Sequence, residues 1–359
     1  MKIRHSSLFR FRVPFREPIQ VKGRTYTHRT GCLVQLVSDD KIVGWGEISP
    51  LPGFSPETLN EAIAATFDFL AHQNRQALPG SVLDLIAWLP NELPPSTAFG
   101  LTTAVLSLMA QSRRFGYLHQ VIGESETLSV PVNGLLTAND TLADIIQRLD
   151  FHGFDVLKIK VGAPDVDSDI RTIHSIRELA PNLKLRLDAN RQWSLDEAVY
   201  FAKAIAGSPI EYIEEPVGDP FDLPKFYAET GCPIALDETL LMPHWEEIFP
   251  DSTELIRAFI LKPTFLGHPA TLLNLVNRAQ NDGKLVIFTG AYECGVGTGA
   301  IAELAAVWGS KNSSMGLNTY RRLAQDVLKS RLILSGKFLE LNELPWSVNM
   351  ALLEQIDVP

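Results

Sequence analysis

Three acids each close a short apolar run: Asp188 ends Leu185-Arg186-Leu187, Glu214 ends Glu211-Tyr212-Ile213, and Asp237 ends Ile234-Ala235-Leu236. Brought together in a partly desolvated mouth, three carboxylates repel one another, and a hard divalent cation removes that repulsion. A set of oxygen ligands without His or Cys suits Mg²⁺ or Mn²⁺ better than Zn²⁺. Any one such acid could simply cap a following helix; three in series, facing lysines, fit ion binding better. Lys158 and Lys160 lie in a fourth run, on one face by the two-residue strand period, and Lys262 ends Phe259-Ile260-Leu261. Structural salt bridges to the acids are the plain alternative, weakened because three lysines inside strands otherwise meant for burial are costly. The chemical reading is that a cation and a low dielectric disfavour the ammonium form, giving a proton acceptor near neutral pH.

The elements that must position these groups follow from spacing. Strand-like runs at 130–136, 156–161, 183–188, 212–215, 234–237, 259–262 and 285–289 alternate with helical periodicity at 142–149, 170–179, 195–205 and 272–279. From Lys160 through Asp188, Glu214, Asp237 and Lys262 to Glu293, the steps are 28, 26, 23, 25 and 31 residues. One βα unit takes roughly 25–30 residues. A series of such units predicts a (β/α) barrel, although periodicity alone leaves a doubly wound sheet open. In a barrel the strand C-termini share one face, so six ionisable residues converge on one pocket. The first 125 or so residues have a different texture: strand-like runs at 32–37 and 42–47, a Pro/Gly-rich loop at 49–55, then helical stretches.

Composition narrows the function classes. The 359 residues carry 32 Lys+Arg against 42 Asp+Glu, a net charge of −10, with 45% apolar residues. That is the make-up of a globular protein and not of a disordered one, and it lacks the basic surface a nucleic-acid binder needs. Three cysteines are too few for a disulfide framework or a zinc cage. Basic residues interrupt the first dozen positions before any signal-peptide core can form. The charge-free stretch 93–112 holds two prolines and several hydroxyls, reading as a buried helix from near Ser96 and not as a membrane span. The expected location is the cytoplasm. Gly295-x-Gly297-x-x-Ala300 spells a dinucleotide fingerprint, but comes late and has no acid some 20 residues on; it reads as a turn letting a substrate carboxylate approach backbone amides. Cys294 reads as an inert small residue.

Lys158-x-Lys160, Asp188-Ala189-Asn190, Glu214-Glu215-Pro216, Asp237-Glu238 and Lys262-Pro263 resemble, in order and spacing, the motifs of the enolase superfamily, muconate-lactonizing subgroup. The segments Trp45-Gly46-Glu47-Ile48-Ser49-Pro50-Leu51-Pro52-Gly53-Phe54-Ser55, Pro95-Ser96-x-Ala98-Phe99-Gly100 and Leu185 through Arg191 are similar, more narrowly, to the o-succinylbenzoate synthase family of menaquinone biosynthesis. The resemblance runs from about residue 30 to about 330. It implies a (β/α)7β modified TIM barrel over residues 126–324, beneath an α+β capping domain of residues 1–125 completed by 325–359. It further implies Mg²⁺ (or Mn²⁺) on Asp188, Glu214 and Asp237, and Lys160 as the base that removes the proton α to a metal-bound carboxylate. Lys262 would stabilise the anion from the opposite face, with Lys158 assisting. Asn190, Leu51, Phe54, Ser55, Thr289, Gly290 and Ala291 would contact the substrate. The implied reaction is syn dehydration of 2-succinyl-6-hydroxy-2,4-cyclohexadiene-1-carboxylate to 2-succinylbenzoate, a small-molecule reaction involving neither nucleic acid nor membrane. The family's Ser-rich stretch is replaced here by Thr289-Gly290-Ala291, leaving backbone N–H groups to hold the substrate's acid groups. Other readings are N-acylamino-acid racemisation or cycloisomerisation on the same site, a ligand-binding barrel without catalysis, and a Schiff-base aldolase using Lys262. Oligomeric state is not readable.

Overall fold

The computed structural model describes residues 1–73, 76–137, 153–162, 165–249 and 253–356. The N-terminal part is an antiparallel sheet. β1 (Ile3–Val21) and β2 (Arg24–Ser38) form a long hairpin, with β3 (Val43–Ile48) on the far side of β2. The hairpin turns at Lys22-Gly23, both with positive φ. Three helices follow: α1 (Leu59–Ala71), α2 (Val82–Trp88) and α3 (Pro95–Ser112). A reciprocal capping box between Thr58 and Glu61 starts α1.

The charge-free stretch is indeed a helix, buried from Ser96 to Ala110. It can lie hard on β3 because Gly46 has no side chain: a Cβ there would stand 1.8 Å from the Gly100 carbonyl oxygen. This close approach fixes where β3 delivers Glu47 and the loop beyond it.

α4 (His119–Ile122) leads into the second part. The run expected as one strand over 130–136 is two: β4 (Ser129–Pro131) and β5 (Gly134–Leu136). Val132, between them, still donates to the carbonyl of Lys337 on the antiparallel side, while it bridges Met315 in parallel on the barrel side. The remaining elements are β6 (Val156–Lys160), α5 (Val166–Leu179), β7 (Lys184–Asp188), α6 (Leu195–Ala204), β8 (Ile210–Glu214), α7 (Leu223–Thr230), β9 (Ile234–Leu236), β10 (Ile256–Leu261), α8 (Pro263–Leu266), α9 (Pro269–Asn281), β11 (Leu285–Phe288) and α10 (Gly295–Trp308). The helix expected at 142–149 lies outside the described residues.

β5 to β11 form one parallel sheet in sequence order, as successive βα units require. The curl is completed by Met315-Gly316. Met315 bridges to Val132 and Gly316 to Thr289, both parallel, so this short segment stands where an eighth strand would. The fold is thus the barrel expected, with an antiparallel sheet as cap. Beyond it, β12 (Leu334–Ser335) and β13 (Phe338–Glu340) join β4, and β14 (Leu353–Ile356) returns to pair with β1.

Strand alternation layers the barrel's interior. Tyr212, Ala235, Ala258, Ile260 and Ile287 pack together as a small inner core. One period further along the strands stand Glu214, Asp237, Lys262 and Thr289. Arg186, 1% exposed, lies in the lower layer, held by Glu211, the Ser314 carbonyl and Ser313 Oγ, with its guanidinium 5.3 Å from the Tyr212 ring. Among the described residues no helix is long and apolar enough to cross a membrane.

Candidate active site

Five consecutive strands deliver the charged groups, β6 giving two, Lys158 and Lys160. Lys160 closes β6, Asp188 closes β7 and Glu214 closes β8; Asp237 follows β9 and Lys262 follows β10. Register makes this convergence unavoidable: Lys160 pairs with Asp188 and Asp188 with Glu214 across the parallel ladder. The acids are buried, Glu214 completely.

Lysines meet them. Lys158 Nζ lies 2.8 Å from Asp188 Oδ2 and 2.8 and 2.7 Å from the two Glu214 oxygens. Lys160 Nζ is 2.8 Å from the same Asp188 oxygen and donates to Asn190 Oδ1. Lys262 donates to Asp237 from the opposite side.

These pairings set the protonation states. Burial disfavours charge on all three acids. At Asp188 the three lysines outweigh it and hold the carboxyl well below its usual range. Burial together with the neighbouring Asp188 and Asp237 pushes Glu214 up. Without a cation among the acids, two of the lysines are held in the ammonium form. Burial does work against the ammonium, but Asp188, Glu214 and Asp237 hold Lys158 well above its ordinary value, and Asp237, Glu238 and Glu214 do the same for Lys262. With acid oxygens at contact distance, attraction exceeds the cost of desolvation.

The donor set is one that suits a hard cation. Among the described residues no three His, Cys, Asp or Glu side chains close around a common point as they stand; ammonium groups engage the oxygens instead. The three strand ends are nonetheless adjacent, all ligand atoms are oxygen, and Glu238 Oε2 is buried without a hydrogen-bond partner. A buried carboxylate oxygen left unpartnered beside three other acids fits a site built for a divalent ion.

The run-end pattern does not single out Glu215, yet it organises this layer. It is fully buried and paired with Arg191 at 2.9 Å. It accepts from the backbone N–H of Asp237 and Thr239 at 2.8 and 2.7 Å and from Thr239 Oγ1 at 2.8 Å. Asn190, Arg191 and Glu215 all adopt positive φ, a backbone cost concentrated at the mouth. The sequence signal was present in the doubled acid Glu214-Glu215 with a basic residue just past the preceding run.

The expected substrate contacts divide. Phe54 stacks on Phe265, with centroids 6.0 Å apart and planes 7° apart. Lys262 Nζ lies 5.9 and 5.8 Å from the two ring centroids, so Phe54 does reach the mouth. Leu51 and Ser55 serve the loop itself: Leu51 is buried, and its N–H donates to Ser55 Oγ at 2.9 Å. Asn190 spends its amide on Lys160 and Glu238.

The backbone amides expected to hold the substrate's acid groups are already taken. Thr289 N–H donates to the Leu261 carbonyl, Gly290 N–H to the Gly316 carbonyl, and Ala291 N–H to Glu293 Oε2 at 2.6 Å. The glycine-rich turn is likewise not open to a ligand carboxylate. The N–H groups of Cys294 and Gly297 both donate to Glu47 at 2.8 Å, and that of Gly295 to Asp326 at 2.7 Å. The protein caps the start of α10 with its own acids. Cys294 is fully buried, and burial raises its thiol well above the ordinary range, as an inert residue requires.

Comparison with known proteins agrees with this geometry. Residues 140–345 match the family described as enolase C-terminal domain-like, and residues 3–108 match the MenC N-terminal domain. The chain is 32% identical over 332 residues to o-succinylbenzoate synthase of Pasteurella multocida, covering 91% of this chain and 92% of that one. Among solved structures, the L-Ala-D/L-Glu epimerase of Bacillus subtilis superposes with a TM-score of 0.82 at 25% identity, covering 97% of this chain and all of that one. The dipeptide epimerase of Cytophaga hutchinsonii, solved with Mg and the dipeptide D-Ala-L-Val, gives 0.83 at 21% identity over 99% of both chains.

Proposed function

The chain belongs to the o-succinylbenzoate synthase family of the enolase superfamily, and from that premise we propose that it dehydrates 2-succinyl-6-hydroxy-2,4-cyclohexadiene-1-carboxylate to 2-succinylbenzoate in a Mg²⁺-dependent reaction. One observation carries the reading: Lys160 and Lys262 face each other from β6 and β10 across three acids on the strands between. A divalent cation held by Asp188, Glu214 and Asp237 would polarise the substrate's ring carboxylate and take up the negative charge that otherwise favours the lysine ammonium groups.

Lys160 then acts as the amine that removes the ring proton α to that carboxylate. The electron pair moves onto the carboxylate oxygens, where the Lys262 ammonium stabilises it from the other face. As the pair returns to form the ring double bond, the hydroxyl on the neighbouring carbon leaves on the same face as the abstracted proton. The Lys160 ammonium returns that proton to it, so one water is lost and no other acid is needed. Lys158, bridging Asp188 and Glu214, holds the two carboxylates in place. The cap, residues 1–125 with the tail from 325, closes the mouth through Phe54.

The same opposed lysines suit two-base racemisation, so an N-succinyl amino acid is the informative second substrate. Purified protein should convert the cyclohexadiene with a change in ultraviolet absorbance, and EDTA should abolish it. Lys160→Ala should lower kcat by about 10³-fold or more while Mg²⁺ still binds. Turnover by that variant at the parent rate would remove Lys160 from its role. Racemisation of the amino acid with no dehydration would replace the reaction.

A further inference from the structure

A second charged cluster lies away from the acids and lysines of the mouth, between the capping sheet and the barrel. Arg29 on β2 is 2% exposed. Besides a bond from Nη1 to the neighbouring Thr30 carbonyl at 3.3 Å, its guanidinium reaches three distant carbonyls at once. Nη2 donates to the Ser49 carbonyl and Nη1 to the Pro50 carbonyl at 2.8 Å, both at the head of the mouth loop; Nε donates to the Tyr292 carbonyl at 3.1 Å, on the turn between β11 and α10. Glu47 and Glu293 face it and offset the cost of burying its charge.

Each of those acids continues the link. Glu47 accepts from Ser49 Oγ at 2.9 Å and from the start of α10. Glu293 accepts from Ala291 N–H and, at 2.6 Å, from Thr264 Oγ1, two residues past Lys262. Arg29 therefore ties the mouth loop to the turn after Thr289, and Glu293 on that turn ties it in turn to the segment carrying Lys262. Tyr292, whose carbonyl Arg29 holds, has φ 65°, a conformation that needs such support.

We infer that Arg29 is a positioning residue for the reaction, fixing the mouth loop against the β11–α10 turn so that Phe54 is held beside Phe265 and Lys262, where it borders the substrate. It touches no reacting atom. A planar fork with donors pointing in several directions does this; a lysine, a single point charge, satisfies the two acids but cannot reach all three carbonyls. The inference rests on the dehydratase reading for its substrate, not for its geometry.

The test is Arg29→Lys, which keeps the buried positive charge. KM for the cyclohexadiene and the dissociation constant of 2-succinylbenzoate should both rise about 10- to 100-fold, with kcat changed less than about threefold because contact remote from the reacting carbon is what is lost. Chymotryptic cleavage after Phe54 should accelerate by about tenfold or more, with the circular dichroism and melting temperature close to the parent's. Parent-like KM and cleavage would overturn the role. So would an unchanged KM with kcat and melting temperature falling together, the sign of general damage. Should Arg29→Lys not fold, Glu293→Gln loosens the other end of the link and must show the same rise in KM and cleavage; parent-like values there also overturn it. A parent protein inactive on the cyclohexadiene would sink the dehydratase reading alone, since the cleavage rates need no substrate and still decide the link.

Discussion

Glu215 is a buried carboxylate that fixes the backbone around two of the acids at the mouth. Its two oxygens fix the backbone at Asp237 and Thr239 and pair with Arg191. Glu215→Gln keeps the shape but loses the charge opposite Arg191 and one acceptor, leaving buried donors unmatched. The expected cost is about 1–3 kcal/mol of stability, with Mg²⁺ affinity reduced about 10- to 100-fold because a ligand's support has been loosened. Thermal denaturation with and without added Mg²⁺ measures both; a variant matching the parent on both counts would show that Arg191 and Thr239 hold the turn unaided. At this scale the sequence was informative for residues that end apolar runs. It was uninformative for hydrogen bonds between residues distant in the chain. Nothing local to Thr289-Gly290-Ala291 announces that their N–H groups are spent on Leu261, Gly316 and Glu293.

Among the elements, the junction of β3 with α10 is one whose behaviour should depend on acidity. Burial pushes Glu47 up to about 7, against the N–H groups of Cys294 and Gly297 and the charge of Arg29. A carboxyl whose folded pKa is raised favours the folded state most below its unfolded value near 4.5, and that contribution is lost as pH climbs to about 7. Stability, read from the melting temperature, should therefore fall between pH 5 and pH 8 more steeply in the parent than in Glu47→Gln, by up to roughly 3 kcal/mol across the window. Identical slopes would mean that Glu47 stays ionised throughout. The strand runs were legible because parallel strands buried on both faces read as unbroken apolar stretches. The division at Pro131, and the two-residue bridge at Met315-Gly316 that closes the barrel, were not: a segment that short has no periodicity to detect.

The whole molecule is held together partly by its last strand. β14 pairs with Leu8–Phe11 of β1, so the two ends of the chain share one sheet. A chain ending at Asn349 would expose that edge while leaving every charged group of the mouth in place. Such a protein should be less stable by about 1–3 kcal/mol, seen as a lower melting temperature, and self-associate with rising concentration, with kcat close to the parent's. Light scattering alongside calorimetry checks this, and a monomeric variant of parent-like stability would show that the strand is dispensable. The barrel and its cap were foreseeable from spacing and motif resemblance together. The way the cap is fastened was not, because it depends on Arg29 and Glu47 meeting partners more than 240 residues away.

That fastening bears on how relatives could exchange parts. The mouth loop at 49–55 looks self-contained, and a chimera builder would be tempted to transplant it alone. Its carbonyls, however, are clasped by a guanidinium two strands earlier and share that clasp with a turn near residue 292. A graft that respects the architecture must carry three discontinuous segments as one cassette: the stretch around Arg29, the loop, and the turn before α10.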